Sequence, residues 1–114
     1  MTKASNKKEI VLSPGTFGSS PACHILVDMM NKNMISLKEK HRVLALITAI
    51  IYEFKAISTI KSSDKRHDVR EAIMLRSRDY YLERVEKMPY PLIFRTHLMN
   101  VIHHKCRKFL KEAA

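Results

Sequence analysis

The sequence predicts an all-α protein, a small four-helix domain built on a helical hairpin. Capping signals precede three segments of helical length, apolar residues recur every three or four positions, and 114 residues include only 2 glycines and 4 prolines. All-β folds and dinucleotide-binding folds need more glycine, and no glycine-rich phosphate-binding motif occurs. We therefore expect one helical domain over residues 19–114.

The start of the chain predicts an arm followed by the first helix. Residues 1–18 are largely polar and contain both glycines, so we expect a flexible N-terminal arm ending in a fixed turn. Ser20 then precedes Pro21, whose missing N–H costs nothing in a first helical turn. The first helix is expected over residues 21–32. Its apolar side would consist of Ala22, Ile25, Leu26, Met29 and Met30.

The second helix contains the run VLALITAIIYEF, residues 43–54, which is too short to span a bilayer. Ser36 and Glu39 have capping-box spacing, in which each side chain binds the backbone amide of the other residue. Apolar residues cover most of the circumference of this helix, so it needs protein on two sides. It is either the centre of a bundle or half of a homodimer interface. Its main stripe would be Leu37, Leu44, Ile47, Ile51 and Phe54, widened by Val43, Leu46 and Ile50.

Two further helices complete the predicted domain. Ser63 and Asp64 predict the start of a third helix over residues 64–87, and Pro89 and Pro91 end it. Its alternating arginines and acidic residues are typical of a solvated, charge-compensated face. The fourth helix would begin after the prolines and run to about residue 111. Its apolar stripe would be Leu92, Ile93, Leu98, Val101, Ile102, Cys106, Phe109 and Leu110.

The chain is strongly basic, with 21 Lys+Arg against 11 Asp+Glu and a net charge of +10. This balance favours nucleic acid, an anionic membrane or an acidic protein as a partner. The 2 cysteines form no C-x-x-C motif, which indicates a reducing compartment. The first residues lack the apolar core of a signal peptide, so a cytoplasmic location is expected, without membrane attachment.

The sequence offers no chemistry for catalysis. His103 and Cys106, with Cys23 and His24, are the only cluster of metal-ligand types, but they lack the paired spacing of zinc sites. No G-x-S-x-G motif is present, and the acidic residues of the third helix alternate with arginines that keep them ionised. We therefore expect no enzyme activity, no metal and no cofactor.

Two groups of residues are candidates for binding. Arginine and tyrosine are enriched where protein interfaces concentrate their energy, so a partner-binding surface is predicted on the third helix. It would consist of Arg70, Glu71, Arg76, Arg78, Tyr80 and Tyr81. Possible nucleic-acid contacts are Arg95, Lys105, Arg107, Lys108 and Lys111. No base-reading motif accompanies them, since the second helix is apolar rather than a polar reader of base edges.

The segment VREAIMLRSRDYYLERV carries Arg70-Glu71, Arg76 and Tyr80-Tyr81-Leu82, and GTFGSSPA precedes the first helix. Together these stretches resemble small bacterial virulence regulators of the PerC-like and AraC-negative-regulator kind. In those families a helical hairpin follows the small-residue opening, with a turn glycine near the place of Asn33. The resemblance implies a small, all-helical cytoplasmic protein that acts on transcription by binding other regulators or nucleoid proteins, often through a helical dimer interface.

The favoured function is therefore that of a small transcription-associated regulator, a homodimer that binds protein partners through a helical surface. The main alternative is a basic helical protein that binds DNA or RNA directly. A secretion-chaperone-like interaction protein is a further alternative.

Overall fold

The chain forms the four predicted helices. The computed structural model describes the backbone of residues 21–60 and 64–113 and the side chains of residues 24–60 and 69–111. Its helices are α1 (Pro21–Asn31), α2 (Leu37–Ser58), α3 (Asp64–Glu86) and α4 (Leu92–Ala113), and these described residues contain no strand. The prediction of an all-α, four-helix domain is confirmed. The predicted arm and the capping serines at positions 20 and 63 lie outside the described residues.

The last helix, α4, is the element around which the others are arranged, because it packs against α1, α2 and α3. α3 also packs along α2, whereas α1 lies mainly on α4. Each helix buries one side against a shared core, as amphipathic helices do in bundles. The buried stripe of α4, at most 1% exposed, is Phe94, Leu98, Val101, Ile102 and Cys106.

The predicted stripe of α4 is wrong at its start. Leu92 and Ile93 are 66% and 54% exposed, whereas Phe94 is fully buried. Counting back one helical turn from the buried Leu98 reaches Phe94, so positions 92 and 93 fall on the far side of the helix. The later members are placed as predicted, since Val101, Ile102 and Cys106 are buried and Phe109 and Leu110 are half-buried.

The core-facing side of α2 also differs from the prediction. Leu37 is 41% exposed, and Leu44 and Ile51 are only half-buried. Apolar side chains surround this helix, so their spacing does not fix which side is innermost. Lys40, a polar residue in the sequence pattern, is 1% exposed and lies on the buried side. The other buried members are Val43, Ile47, Ile50, Phe54 and Ile57.

The turn between α1 and α2 is fixed by Asn33. Its backbone is left-handed, with φ of 60°, a conformation that asparagine tolerates better than most residues with a Cβ. The Asn33 N–H donates to the carbonyl of Met30 at 3.1 Å, and the Asn33 Oδ1 accepts from Lys40 Nζ at 2.5 Å. The buried lysine therefore ties the turn to α2. On α1 itself, Leu26 and Met30 are fully buried, but Ile25 is 42% exposed, contrary to prediction.

The predicted capping box at the start of α2 forms only in part. Ser36 Oγ accepts from the Glu39 N–H at 3.2 Å, as predicted. The Glu39 carboxylate is engaged elsewhere, because it accepts from Arg42 at 2.9 Å and from the Tyr90 hydroxyl at 2.5 Å. Tyr90 lies between α3 and α4, so Glu39 connects the two interhelical turns.

Substitution of Asn33 separates the backbone and side-chain roles of this residue. We expect Asn33→Gly to lower the free energy of unfolding by about 1–3 kcal/mol. Glycine adopts the left-handed backbone conformation readily, but it lacks the side-chain oxygen that accepts the hydrogen bond from the buried Lys40. Asn33→Ala should cost about 1–2 kcal/mol more, because its Cβ strains a left-handed residue. Urea unfolding followed by circular dichroism measures both. Equal stability of the two variants would contradict the role of the backbone.

Candidate functional site

The six partner-binding residues predicted on α3 do not form one surface. Arg70 and Tyr81 are 4% and 7% exposed and face the core. An Arg70 guanidinium N–H donates to the Ile60 carbonyl at 3.0 Å, and the Tyr81 hydroxyl donates to Glu53 at 3.0 Å. Glu53 also accepts from the Ser77 hydroxyl. Arg70 and Tyr81 thus hold α3 against the end of α2, and their assignment to an exposed partner surface is wrong.

The other four predicted residues lie on two opposite sides of α3. Arg78 is half-buried and pairs with neighbouring Asp79 at 2.8 Å, close enough to α4 to influence the titration of His103. Glu71 is exposed and falls on the same flank by helical spacing. Arg76 and Tyr80 are exposed on the other flank. Only the last two can form a shared surface.

Arg76 and Tyr80 belong to a surface that we name the α3 stripe, defined as Val69, Ile73, Arg76 and Tyr80. Steps of four, three and four residues place these side chains along one helix face. Val69, Ile73 and Tyr80 are 55%, 37% and 58% exposed. No described carboxylate lies within 4.0 Å of Arg76. Arg84 lies beside the stripe, 5.9 Å from the centre of the Tyr80 ring.

A second exposed surface, which we name the α2 face, consists of Ala45, Ala49, Tyr52 and Ala56. These residues are again four, three and four positions apart. All four are exposed, and Tyr52 is 69% exposed. Residues 43–52 contain no charged side chain. A long uncharged stretch therefore reaches the surface of a chain whose net charge is +10.

The predicted nucleic-acid contacts on α4 also divide. Arg95 donates to the carbonyls of Glu86 at 2.6 Å and Tyr90 at 3.0 Å, which closes the C-terminal end of α3. Lys105 is 4% exposed. Neither side chain belongs to the exposed basic group of α4. Arg107, Lys108 and Lys111 are exposed and, with the half-buried His104, line a shallow depression of about 400 Å³.

The potential metal ligands on α4 are embedded in the bundle. Burial raises the pKa of the Cys106 thiol, and burial together with Arg78 and Arg107 lowers the pKa of His103. Both effects favour the neutral side chains. Among the described residues, no group of three or more histidine, cysteine or acidic side chains is placed to hold a metal ion.

A cavity of about 590 Å³ lies where the α1–α2 turn meets the α3–α4 turn, and we name it the turn cavity. Each turn contributes one methionine side chain to its wall, the α3–α4 turn also contributes two prolines, and α2 and α3 contribute charged groups. Sequence reasoning missed it, because its walls come from segments about 50 residues apart. Its lining is Met34, Ile35, Ser36, Glu39, Arg42, Leu46, Arg84, Met88, Pro89, Tyr90 and Pro91.

Comparison with known proteins finds no relative: no family model, no curated protein and no solved structure matches the chain. Within residues 21–60 and 64–113, no helix combines the length and apolar character needed to cross a bilayer.

The Tyr90 hydroxyl, in the wall of the turn cavity, makes the free energy of unfolding depend on pH. Burial and the hydrogen bond to Glu39 raise the pKa of Tyr90 to about 12, whereas an unfolded chain releases this proton near pH 10. The protonated Tyr90 hydroxyl therefore contributes its full stabilisation of the fold below about pH 10, and this contribution is lost as the pH rises toward 12. Between these limits we expect the wild type to lose about 1–2 kcal/mol more unfolding free energy than Tyr90→Phe. Urea unfolding at several pH values measures this difference, and parallel profiles would contradict the assignment.

Proposed function

We propose that this protein is a small transcription-associated regulator that acts by binding a protein partner on the α3 stripe. The observation that carries this proposal is the composition of the stripe, which exposes three apolar or aromatic side chains around Arg76. Interfaces concentrate their energy in such aromatic and arginine side chains. The outward side of α3 is therefore better suited to a partner than to water.

The chemistry of the stripe supports an amphipathic helix with acidic residues as the partner. The spacing of four, three and four residues matches the apolar ridge of a second helix lying along α3. Arg76 can bind a carboxylate in bidentate fashion, and no described carboxylate occupies it. The net charge of +10 also favours an acidic partner, because complementary potentials accelerate encounter and disfavour basic competitors.

The setting in transcription is supported by the resemblance of VREAIMLRSRDYYLERV to the PerC-like and AraC-negative-regulator families. Arg76 and Tyr80 belong to the motif that carries this resemblance, and both are exposed on the α3 stripe. The motif residues Arg70 and Tyr81 are explained by packing against α2. The partner class implied by the resemblance, another regulator or a nucleoid protein, is compatible with an acidic helix.

A second part of the proposal is a homodimer formed through the α2 face. Two copies of a chain with a net charge of +10 repel each other, so their contact needs a surface without cations. The uncharged residues 43–52 provide such a surface. In a twofold, antiparallel contact each Tyr52 can pack between the small side chains Ala45 and Ala49 of the other copy. This arrangement leaves the α3 stripe accessible.

The α3 stripe is tested by Arg76→Ala combined with Tyr80→Ala. Both side chains are exposed, so we expect an unfolding free energy within about 1 kcal/mol of wild type. Affinity for the protein partner recovered from the native cell lysate should fall by about 30-fold or more, because loss of an interface hot spot costs about 2 kcal/mol or more. Isothermal titration calorimetry with the purified partner measures the loss. A folded double variant that binds like wild type would overturn the proposal.

The matched control is Arg107→Ala combined with Lys108→Ala, which removes two exposed cations from α4. This variant should bind the protein partner like wild type, and nuclease treatment of the lysate should not reduce recovery. If direct DNA or RNA binding is the function instead, the control loses its ligand and affinity falls about a thousandfold between 50 and 200 mM salt, as expected for six phosphate contacts. That result would replace the regulator proposal with its main alternative.

The dimer is tested by Tyr52→Glu on the α2 face. The twofold contact would bring two new carboxylates into an apolar interface, so we expect the dimeric mass of the wild type to become monomeric. Light scattering at micromolar concentration measures the mass, and circular dichroism verifies that helix content is retained. Tyr80→Glu, on the α3 stripe, is the control and should remain dimeric. A monomeric wild type would refute this part of the proposal.

A further inference from the structure

The turn cavity combines an apolar wall with a small number of polar groups. A volume of about 590 Å³ lies within the usual range of small-molecule sites, about 300–1,000 Å³. Methionine side chains adapt to irregular ligands, and the prolines limit movement of the wall. The apolar lining consists of Met34, Ile35, Leu46, Met88, Pro89 and Pro91.

The polar wall of the cavity is held in place before any ligand binds. Glu39 accepts from both Arg42 and Tyr90, and the Tyr90 ring packs edge-on against the buried Phe94 with centroids 5.5 Å apart. The Tyr90 carbonyl is in turn bound by Arg95 at 3.0 Å. These links join α2, the α3–α4 turn and α4. A ligand therefore meets a site that needs little ordering, which reduces the entropic cost of binding.

The charge in the cavity favours an anion. The charge of the Glu39 carboxylate is compensated by its ion pair with Arg42 and by the hydrogen bond that the Tyr90 hydroxyl donates to it. Arg84 also lines the cavity, and no described carboxylate lies within 4.0 Å of its guanidinium. Ser36 Oγ accepts from the Glu39 N–H, which leaves its hydroxyl proton as a donor. Arg84 and Ser36 are thus the donors for a bound ligand.

We propose that the turn cavity is a binding site for carboxylic acids with an apolar body. The carboxylate binds the Arg84 guanidinium, and the apolar body lies against the methionine and proline side chains. This chemistry occurs both in free small acids and at the C-terminus of a peptide that ends in an apolar residue. Arg76 and Tyr80 of the α3 stripe do not line the cavity, although Arg84 lies 5.9 Å from the centre of the Tyr80 ring.

The methionines allow a direct test by NMR of protein labelled with ¹³C at the methionine methyl groups. The probe is 4-phenylbutyrate, and 4-phenylbutanol is its uncharged counterpart. We expect saturable shifts of the Met34 and Met88 methyls with the acid, while the fully buried Met30 and Met74 stay unshifted. The alcohol should bind about tenfold more weakly, because a hydrogen bond to a charged group is lost. Absence of saturable shifts at Met34 and Met88 would overturn the proposal.

Arg84→Gln is the decisive variant, because this exposed side chain can change without disturbing the core. We expect it to lower the affinity for 4-phenylbutyrate by about tenfold and to leave the affinity for 4-phenylbutanol unchanged. Arg107→Gln removes an exposed cation elsewhere and should bind the acid like wild type. Equal affinity of Arg84→Gln and wild type for the acid, or equal weakening by Arg107→Gln, would refute a specific site.

The two sources of the ligand are distinguished with a third probe, the acetylated tripeptide Ala-Ala-Phe with a free C-terminus. Tighter binding of the tripeptide than of 4-phenylbutyrate identifies peptide ends as the natural ligands, and the reverse order identifies free acids. Both orders support the site if Arg84→Gln weakens the better ligand. If neither probe binds, the proposed site is refuted. The proposal for the α3 stripe is tested separately, by the Arg76→Ala and Tyr80→Ala double variant.

Discussion

The fold depends on the burial of one side of α4 by the three other helices. Phe94, Leu98 and Ile102 are enclosed from several directions, so α1, α2 and α3 must each turn one side toward them. Each helix can satisfy this requirement with a single stripe of side chains. The outward sides of α2 and α3 do not contact the core, and both carry exposed apolar side chains.

The number and approximate limits of the helices could be predicted because they depend on local signals. Ser36 begins α2 and Pro91 precedes α4 through interactions within a few residues. The orientation of each helix about its axis depends instead on distant neighbours. Leu37 and Ile93 are as apolar as Phe54, but packing leaves both of them exposed. Helical periodicity identifies a stripe reliably only where polar residues border it, which α2 lacks over most of its length.

The exposure of the residues predicted to bind a partner differs from one residue to the next. Residue type alone predicts a surface position for arginine and tyrosine on α3, but Arg70 and Tyr81 are buried and form hydrogen bonds to Ile60, just beyond α2, and to Glu53 of α2. Arg76 and Tyr80 have the same residue types and differ only in the direction they face. The turn cavity had no local signal, because the hydrogen bond between Glu39 and Tyr90 joins residues 51 positions apart.

The dependence of α1 and α2 on α4 has a consequence for synthesis of the chain on the ribosome. The apolar residues 43–54 emerge well before α4, which supplies much of their cover. α1, the first of the described helices, also lies mainly on α4, so it cannot pack until the last helix has been made. Closing such long loops is slow compared with forming single helices. During that interval the nascent chain exposes the surface of α2 to any protein that binds apolar helices, including a chaperone or another copy of the same chain.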